Sequence, residues 1–217
     1  MGNRAVITTE RKDLGVYLHW NGGKDSVQAF LKYCELKGYA SPEYDTYGWA
    51  RLCQVIGNFF GGTNSVGISR YEESDRDNFD NGVYIIRNWQ IVGREYFKGG
   101  EQLNYDLEDM LKGIDSCQPQ KEQLGDFLKT KEVLVSELKI GDEVYIATHD
   151  GYEKHKVVGF GEDRVVNGRD VKGMPYVDLC LNKDTETGED TYAWNPNNYI
   201  RTETIRVVQN EMECEKI

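Results

Sequence analysis

Two hydrophobic periods alternate along this chain, and the elements they predict fall into two groups. Arg4 to Thr9 is a β-branched run, and Val16 to Trp20 is a second short apolar run after a charged connection, so an antiparallel hairpin is expected. Val27, Phe30, Leu31 and Cys34 then recur at helical spacing, and Trp49, Leu52, Cys53, Ile56 and Phe60 repeat that stripe. Gly38 and the pair Gly61-Gly62 stand where those helices should stop. Asn64 to Tyr71 alternates as a strand, and Val83–Ile86 and Gln90–Gly93 form a hairpin turning at Asn88. Leu107, Met110, Leu111 and Ile114 make a third helical stripe. Residues 1–116 therefore read as an antiparallel sheet with helices on one face, an α+β unit.

Pro119 marks a boundary, and residues 117–132 read as a linker with a short helix near 120–129 carried by Leu124, Phe127 and Leu128. From Val133 onward short strands recur between Gly- and Asn-rich turns, at 155–160, 175–181, 191–194 and 204–208. Leu138-Lys139-Ile140-Gly141-Asp142-Glu143-Val144-Tyr145-Ile146 resembles the opening of SH3-like barrels, where Gly-Asp turns the chain into a long strand. The resemblance implies a small β-barrel over 133–217, followed by an acidic tail at 211–217.

Charge narrows the partners. The 217 residues carry a formal net charge of −11, and no Lys/Arg cluster supplies the basic patch of a nucleic-acid binder. Direct nucleic-acid contact is not expected; a basic protein partner is. No run approaches the roughly 18 apolar residues of a membrane span, and residues 1–10 contain no apolar stretch of the secretory type. A cytoplasmic location is expected, without membrane contact. Five scattered cysteines with no C-x-x-C pair give neither a disulfide framework nor a zinc site.

Chemistry is concentrated in two stretches. Asn21, Gly22, Gly23, Lys24, Asp25 and Ser26 lie between a strand and a helix, where glycines let backbone N–H groups approach an anion and the helix dipole adds positive potential. The stretch reads equally as a strand-to-helix turn with positive φ, capped by Asp25 or Ser26. His19 sits beside it as an acid/base or ligand-contacting group, or as an ordinary strand histidine. Glu72, Glu73, Asp75, Asp77 and Asp80 crowd a second loop. Their spacing is not that of a calcium loop, so no metal is expected and the loop is the candidate protein contact.

Asn21–Ser26 resembles the PP-loop of ATP pyrophosphatases, Ser-Gly-Gly-x-Asp-Ser/Thr, with Asn21 in place of the first serine. That resemblance implies ATP and Mg²⁺ as cofactors and a nucleotidyl-transferring activity. Lys24 and Ser26 would meet phosphate oxygens, and Asp25 would support the loop or the metal. The opening Arg4-Ala5-x-Ile7 followed by Tyr17-x-His19-Trp20-Asn21-Gly22 is similar to uncharacterised phage and mobile-element proteins that begin M-x-x-R-A-x-I and continue Y-x-H-W-D/N-G. This second resemblance implies a genomic setting in which small acidic proteins inhibit host defence. The favoured expectation is a non-enzymatic, anti-defence inhibitor that binds a basic host protein, a nuclease or a sensor, through Glu72, Glu73, Asp75, Asp77 and Asp80. The alternative is the nucleotide-binding protein or enzyme just described, using the same glycine loop.

Overall fold

The structure, a computed structural model, describes residues 2–61, 65–100, 104–148 and 151–161, and the strand segments 164–166, 169–171, 176–180, 191–194 and 204–208. The chain divides into two compact units, 1–128 and 129–217. In the first, β1 (Ala5–Thr9), β2 (Leu14–Leu18), β3 (Val66–Arg70), β4 (Val83–Arg87) and β5 (Gln90–Glu95) form one sheet in the order β3-β2-β1-β4-β5. Helices α1 (Lys24–Leu36), α2 (Thr46–Phe59) and α3 (Leu107–Ser116) pack on one another, with α2 reaching β3 and α1 reaching β5.

This sheet is mixed, which corrects the expectation of an antiparallel one. β1 runs parallel to β4, with Val6 beside Val83 and Thr9 beside Ile86, while every other neighbouring pair is antiparallel. The reason is where β3 goes. Sequence order suggests that β3 leads into the next hairpin, but β3 docks on the free edge of β2 instead. β4 takes the opposite edge of β1 after a long crossover, which is what parallel neighbours require. β1 is thereby the middle strand, and all five of its residues are buried.

Alternation assigns the two faces. Val6, Tyr17, Val83 and Ile85 share one face and pack with Tyr71 of the 71–82 loop. Ala5, Ile7, Val16, Leu18, Tyr84 and Ile86 point the other way, under the helical layer, and are fully buried, Ala5 with Gly22 against it. Phe30 meets Phe59 and Phe60 at ring centroid distances of 5.3 and 6.4 Å, joining α1 to the end of α2.

Local chemistry sets the ends of the elements. Gly38, at φ 69°, closes α1: its N–H donates to Glu35 O, and Tyr39 N–H donates to Cys34 O. These are the two bonds of a Schellman stop. Asp45 and Asp106 cap α2 and α3 through their carboxylates. Asn88 and Trp89 turn the β4–β5 hairpin with positive φ at both positions, 50° and 61°. A tryptophan is strained there by about 1 kcal/mol. It is held by burial, by an indole N–H donated to Tyr39 O at 2.7 Å, and by Glu43 accepting the N–H of Asn88.

Residues 117–128 are part of the first unit. The helix expected near 120–129 is two 3-10 turns, Gln120–Glu122 and Gly125–Lys129. Gly125 at φ 53° interrupts it, and Asp115 takes the amides of Leu124 and Gly125 at 2.7 and 3.0 Å. Tyr33 also donates to Asp115 at 2.7 Å, and Gln118 bonds to the carbonyls of Val55 and Ile114. These buried polar side chains latch the segment to the helices.

The second unit contains β6 (Thr130–Leu134), β7 (Glu143–Thr148), β8 (Gly151–Gly161), β9 (Arg164–Val166), β10 (Arg169–Val171), β11 (Tyr176–Cys180), β12 (Thr191–Trp194) and β13 (Thr204–Val208). β9 and β10 pair with each other, and the other six form a sheet in the order β12-β11-β8-β7-β13-β6. No pairing among the described residues joins β12 to β6, so the closed barrel expected from sequence is not seen there. The Gly-Asp turn is present as expected: Gly141 has φ 98°, and Asp142 accepts the N–H of Lys139 at 2.8 Å. Leu138, Val144, Ile146, Val157, Ile205 and Val207 make the core of this unit. The acidic tail and His149 lie outside the described residues.

Candidate functional site

The glycine loop is built around a close backbone crossing. Asn21 has φ 52°, and Gly22 then passes over the start of β1, its N–H donating to Asn3 O at 2.7 Å. A Cβ on Gly22 would lie 2.6 Å from Asn3 O and 2.7 Å from the nitrogen of Ala5. Only glycine fits there, and the amide is already used. Gly23 is the N-cap of α1, not Asp25 or Ser26, and it supplies no side-chain cap. Ser26 is buried, and Asn21 Nδ2–H donates to its Oγ at 3.3 Å. The sequence features that invited a phosphate-cradling reading are therefore explained, at Asn21 and Gly22, by turn geometry and packing.

His19 is half-buried at the end of β2. Its Nδ1 lies 3.1 Å from the Tyr17 hydroxyl, and Trp20 packs edge-on against its ring at 4.9 Å.

The acidic loop has a buried organiser that sequence reading missed. Asn78 is 1% exposed. Its Nδ2 donates to Asp75 O and Gly82 O, and its Oδ1 accepts from the N–H groups of Asp80 and Gly82, all between 3.0 and 3.2 Å. All four hydrogen-bonding positions of the amide are filled. This clamp fixes Phe79 at φ 58° with 84% of its surface in solvent. Phe79 sits in a run of Asp and Asn, where composition draws attention to charge and not to the aromatic ring. Its left-handed backbone and its exposure are evident only in three dimensions.

The five carboxylates divide into two groups. Glu72, Glu73, Asp75 and Asp77 are exposed, with Lys98 3.8 Å from Asp77. Asp80 turns inward to Arg4, accepting from Nε at 2.7 Å and from the Arg4 backbone N–H at 3.2 Å. Those bonds hold its carboxyl below the ordinary range. Asp80 thus anchors the loop through Arg4 and is less exposed than the other four.

The two candidate stretches meet at Arg4. Ala5 pairs with Leu18, and just beyond that pair the N–H of Asn3 donates to His19 O at 3.2 Å. Asn81 donates through both its backbone N–H and Nδ2 to Arg4 O at 3.1 Å. Burial raises the Tyr17 hydroxyl pKa, Asp75 adds to the rise, and Arg4 opposes it, so all three groups feel one another. The segments Arg4-Ala5-x-Ile7 and Tyr17-x-His19-Trp20-Asn21-Gly22 are therefore two sides of one strand pair, with Gly22 folded over Ala5.

Among the described residues no three His, Cys, Asp or Glu side chains converge as a metal would need, and no helix is long and apolar enough to cross a membrane. Burial raises the thiol of Cys34 far above its usual value and that of Cys53 to about 11, which makes both poor nucleophiles. Compared with known proteins, the chain shows no match to a family model, to a curated protein or to a solved structure.

Proposed function

We propose that the chain is a non-enzymatic binding protein that engages a basic protein surface through the 71–82 loop. The observation carrying this reading is the Asn78 clamp, which holds Phe79 out in solvent beside Glu72, Glu73, Asp75 and Asp77. An aromatic anchor within a fixed loop loses little conformational freedom on binding, and the surrounding carboxylates steer a cationic partner toward it. The net charge of −11 adds long-range attraction of the same sign. The genomic setting implied by the opening motif makes a host nuclease or nucleic-acid sensor a fitting partner. The SH3-like reading of the second unit, drawn from its Gly141-Asp142 turn into β7, would add a second contact surface.

The test compares capture from host-cell lysate by the wild-type chain and by the triple variant Asp75→Asn, Asp77→Asn, Phe79→Ala. The expected result is a basic protein retained by the wild type at low salt, released as salt rises, and not retained by the variant. Equal capture by both chains, or capture indifferent to salt, would show that the loop is not the contact.

A further inference from the structure

The two edges of the first sheet are protected very differently. β5 carries Arg94 and Glu95, its pairing with β4 is broken by a bulge at Ile85/Ile86, and the chain leaves it at Tyr96 with φ 56°. Charge, a bulge and a sharp exit are the usual means of preventing an edge strand from pairing further. β3 has none of these along its length. Val66-Gly67-Ile68-Ser69-Arg70 pairs with β2 in an unbroken five-residue register, contains no proline or lysine, and has its single charge at the last position. Ile68, at its centre, is 57% exposed, and no strand pairs with the outer side of β3 among the described residues.

We infer that β3 is a self-association edge, pairing antiparallel with β3 of a second copy about a two-fold axis at Ile68. The sequence of the strand is its own complement in that register. Ile68 meets Ile68 of the partner subunit, Val66 lies beside the aliphatic stem of the partner's Arg70, and Gly67 faces the partner's Ser69. Small residues thus oppose small ones on one face, and apolar surface opposes apolar surface on the other. Within each subunit Val66, Ile68 and Arg70 stand beside Leu18, Val16 and Leu14, and Gly67 lies under the ring of Tyr17. The pairing therefore continues a regular sheet.

Charge selects a second copy over the basic partner of the acidic loop. The chain is strongly acidic, yet β3 contains no carboxylate, and the two arginines of the dimer fall at opposite ends of the strand pair. No like charges stand directly opposite one another. A five-residue strand pair is small for a stable interface. α2 packs on β3, so the same two-fold also draws α2 toward its mate and adds area.

The experiment is sedimentation velocity of the full chain over a dilution series, for the wild type and for Ile68→Lys. The wild type is expected to change from twice the chain mass to the chain mass on dilution. The lysine variant should remain at the chain mass throughout, with unchanged circular dichroism and the melting temperature of the wild type diluted to single-chain mass, because the side chain is exposed within the subunit. Hydrogen exchange of the wild type supplies a readout independent of any variant: β3 amides should gain protection as concentration rises. A wild type at single-chain mass throughout, a lysine variant that still doubles in mass, or β3 exchange indifferent to concentration would each overturn the inference.

Discussion

Asn78 shows how much of this surface depends on one uncharged side chain. Replacing it with alanine removes four hydrogen bonds: the buried N–H of Gly82 and the partly buried N–H of Asp80 and carbonyl of Asp75 lose this partner, while Gly82 O keeps the N–H of Val6, and each lost bond costs about 1 kcal/mol. Asn78→Ala is therefore expected to lower unfolding free energy by about 3 kcal/mol in urea titration, and to weaken partner capture even if the chain still folds. Gly22→Ala should also be costly, because its methyl would collide with backbone and not with a movable side chain; about 2 kcal/mol is expected from overpacking. Three titrating groups predict the response to pH. Asp80 and Glu95 have depressed carboxyl pKa values, Asp80 mainly through Arg4, and Glu95 through Lys12 and then Tyr71. Their unfolded forms bind protons more readily, so their contribution is complete above the ordinary carboxylate range and is lost as pH falls from that range through their depressed folded values. His155 follows the same sign nearer neutrality. Burial lowers its pKa while Glu153 partly opposes, so the folded chain holds it neutral and stability declines as pH drops below its usual value near 6.5. Melting temperature should thus fall in two stages on acidification, and His155→Leu should flatten the first stage. A single stage in the wild type, or an unchanged first stage in the variant, would contradict this assignment.

At the scale of elements, turn chemistry decides where sequence reading succeeded. The three helical stripes, the stops at Gly38 and Gly61, and the β4–β5 turn at Asn88 were legible because each rests on local periodicity or on a residue suited to positive φ. The parallel β1–β4 pair was not legible. It depends on which strand edge is free in space, and that is settled by β3 docking on β2. The glycine loop was half legible: its strand-to-helix position was read correctly, but the reason for Gly22 lies in Asn3 and Ala5, far from any local pattern. Asn78 and Phe79 were missed because an asparagine buried in an acidic loop has no periodic signal. Two measurements address these elements. Nucleotides with Mg²⁺ are expected to leave the melting temperature unchanged, since the Gly22 amide is committed to Asn3; a stabilisation abolished by Lys24→Ala would restore the nucleotide reading. Trp89→Gly relieves about 1 kcal/mol of backbone strain but forfeits about 3 kcal/mol of aromatic packing. A net loss of about 2 kcal/mol is therefore expected by calorimetry, and a stabilised variant would show that strain outweighs burial at this turn.

For the whole molecule, charge and strand order have consequences that no single element carries. An acidic chain that displays its carboxylates on a fixed loop should associate with a cationic partner at a rate that falls as ionic strength rises, and dissociate at a rate that changes little. Stopped-flow association at two salt concentrations would separate this from a contact dominated by apolar burial. Strand order has a different kind of consequence, in time. β1 precedes the other four strands of its sheet along the chain, yet it is the middle of that sheet. While the chain emerges, at roughly 5–20 residues per second, β1 can pair only with β2. Its other side, five residues that will be buried completely, waits through the synthesis of two helices, β3 and the acidic loop before β4 appears. A nascent chain stalled anywhere before Arg87 therefore presents an open apolar edge to chaperones or to its neighbours on the same message, and the yield of native protein depends on how quickly the ribosome passes that point.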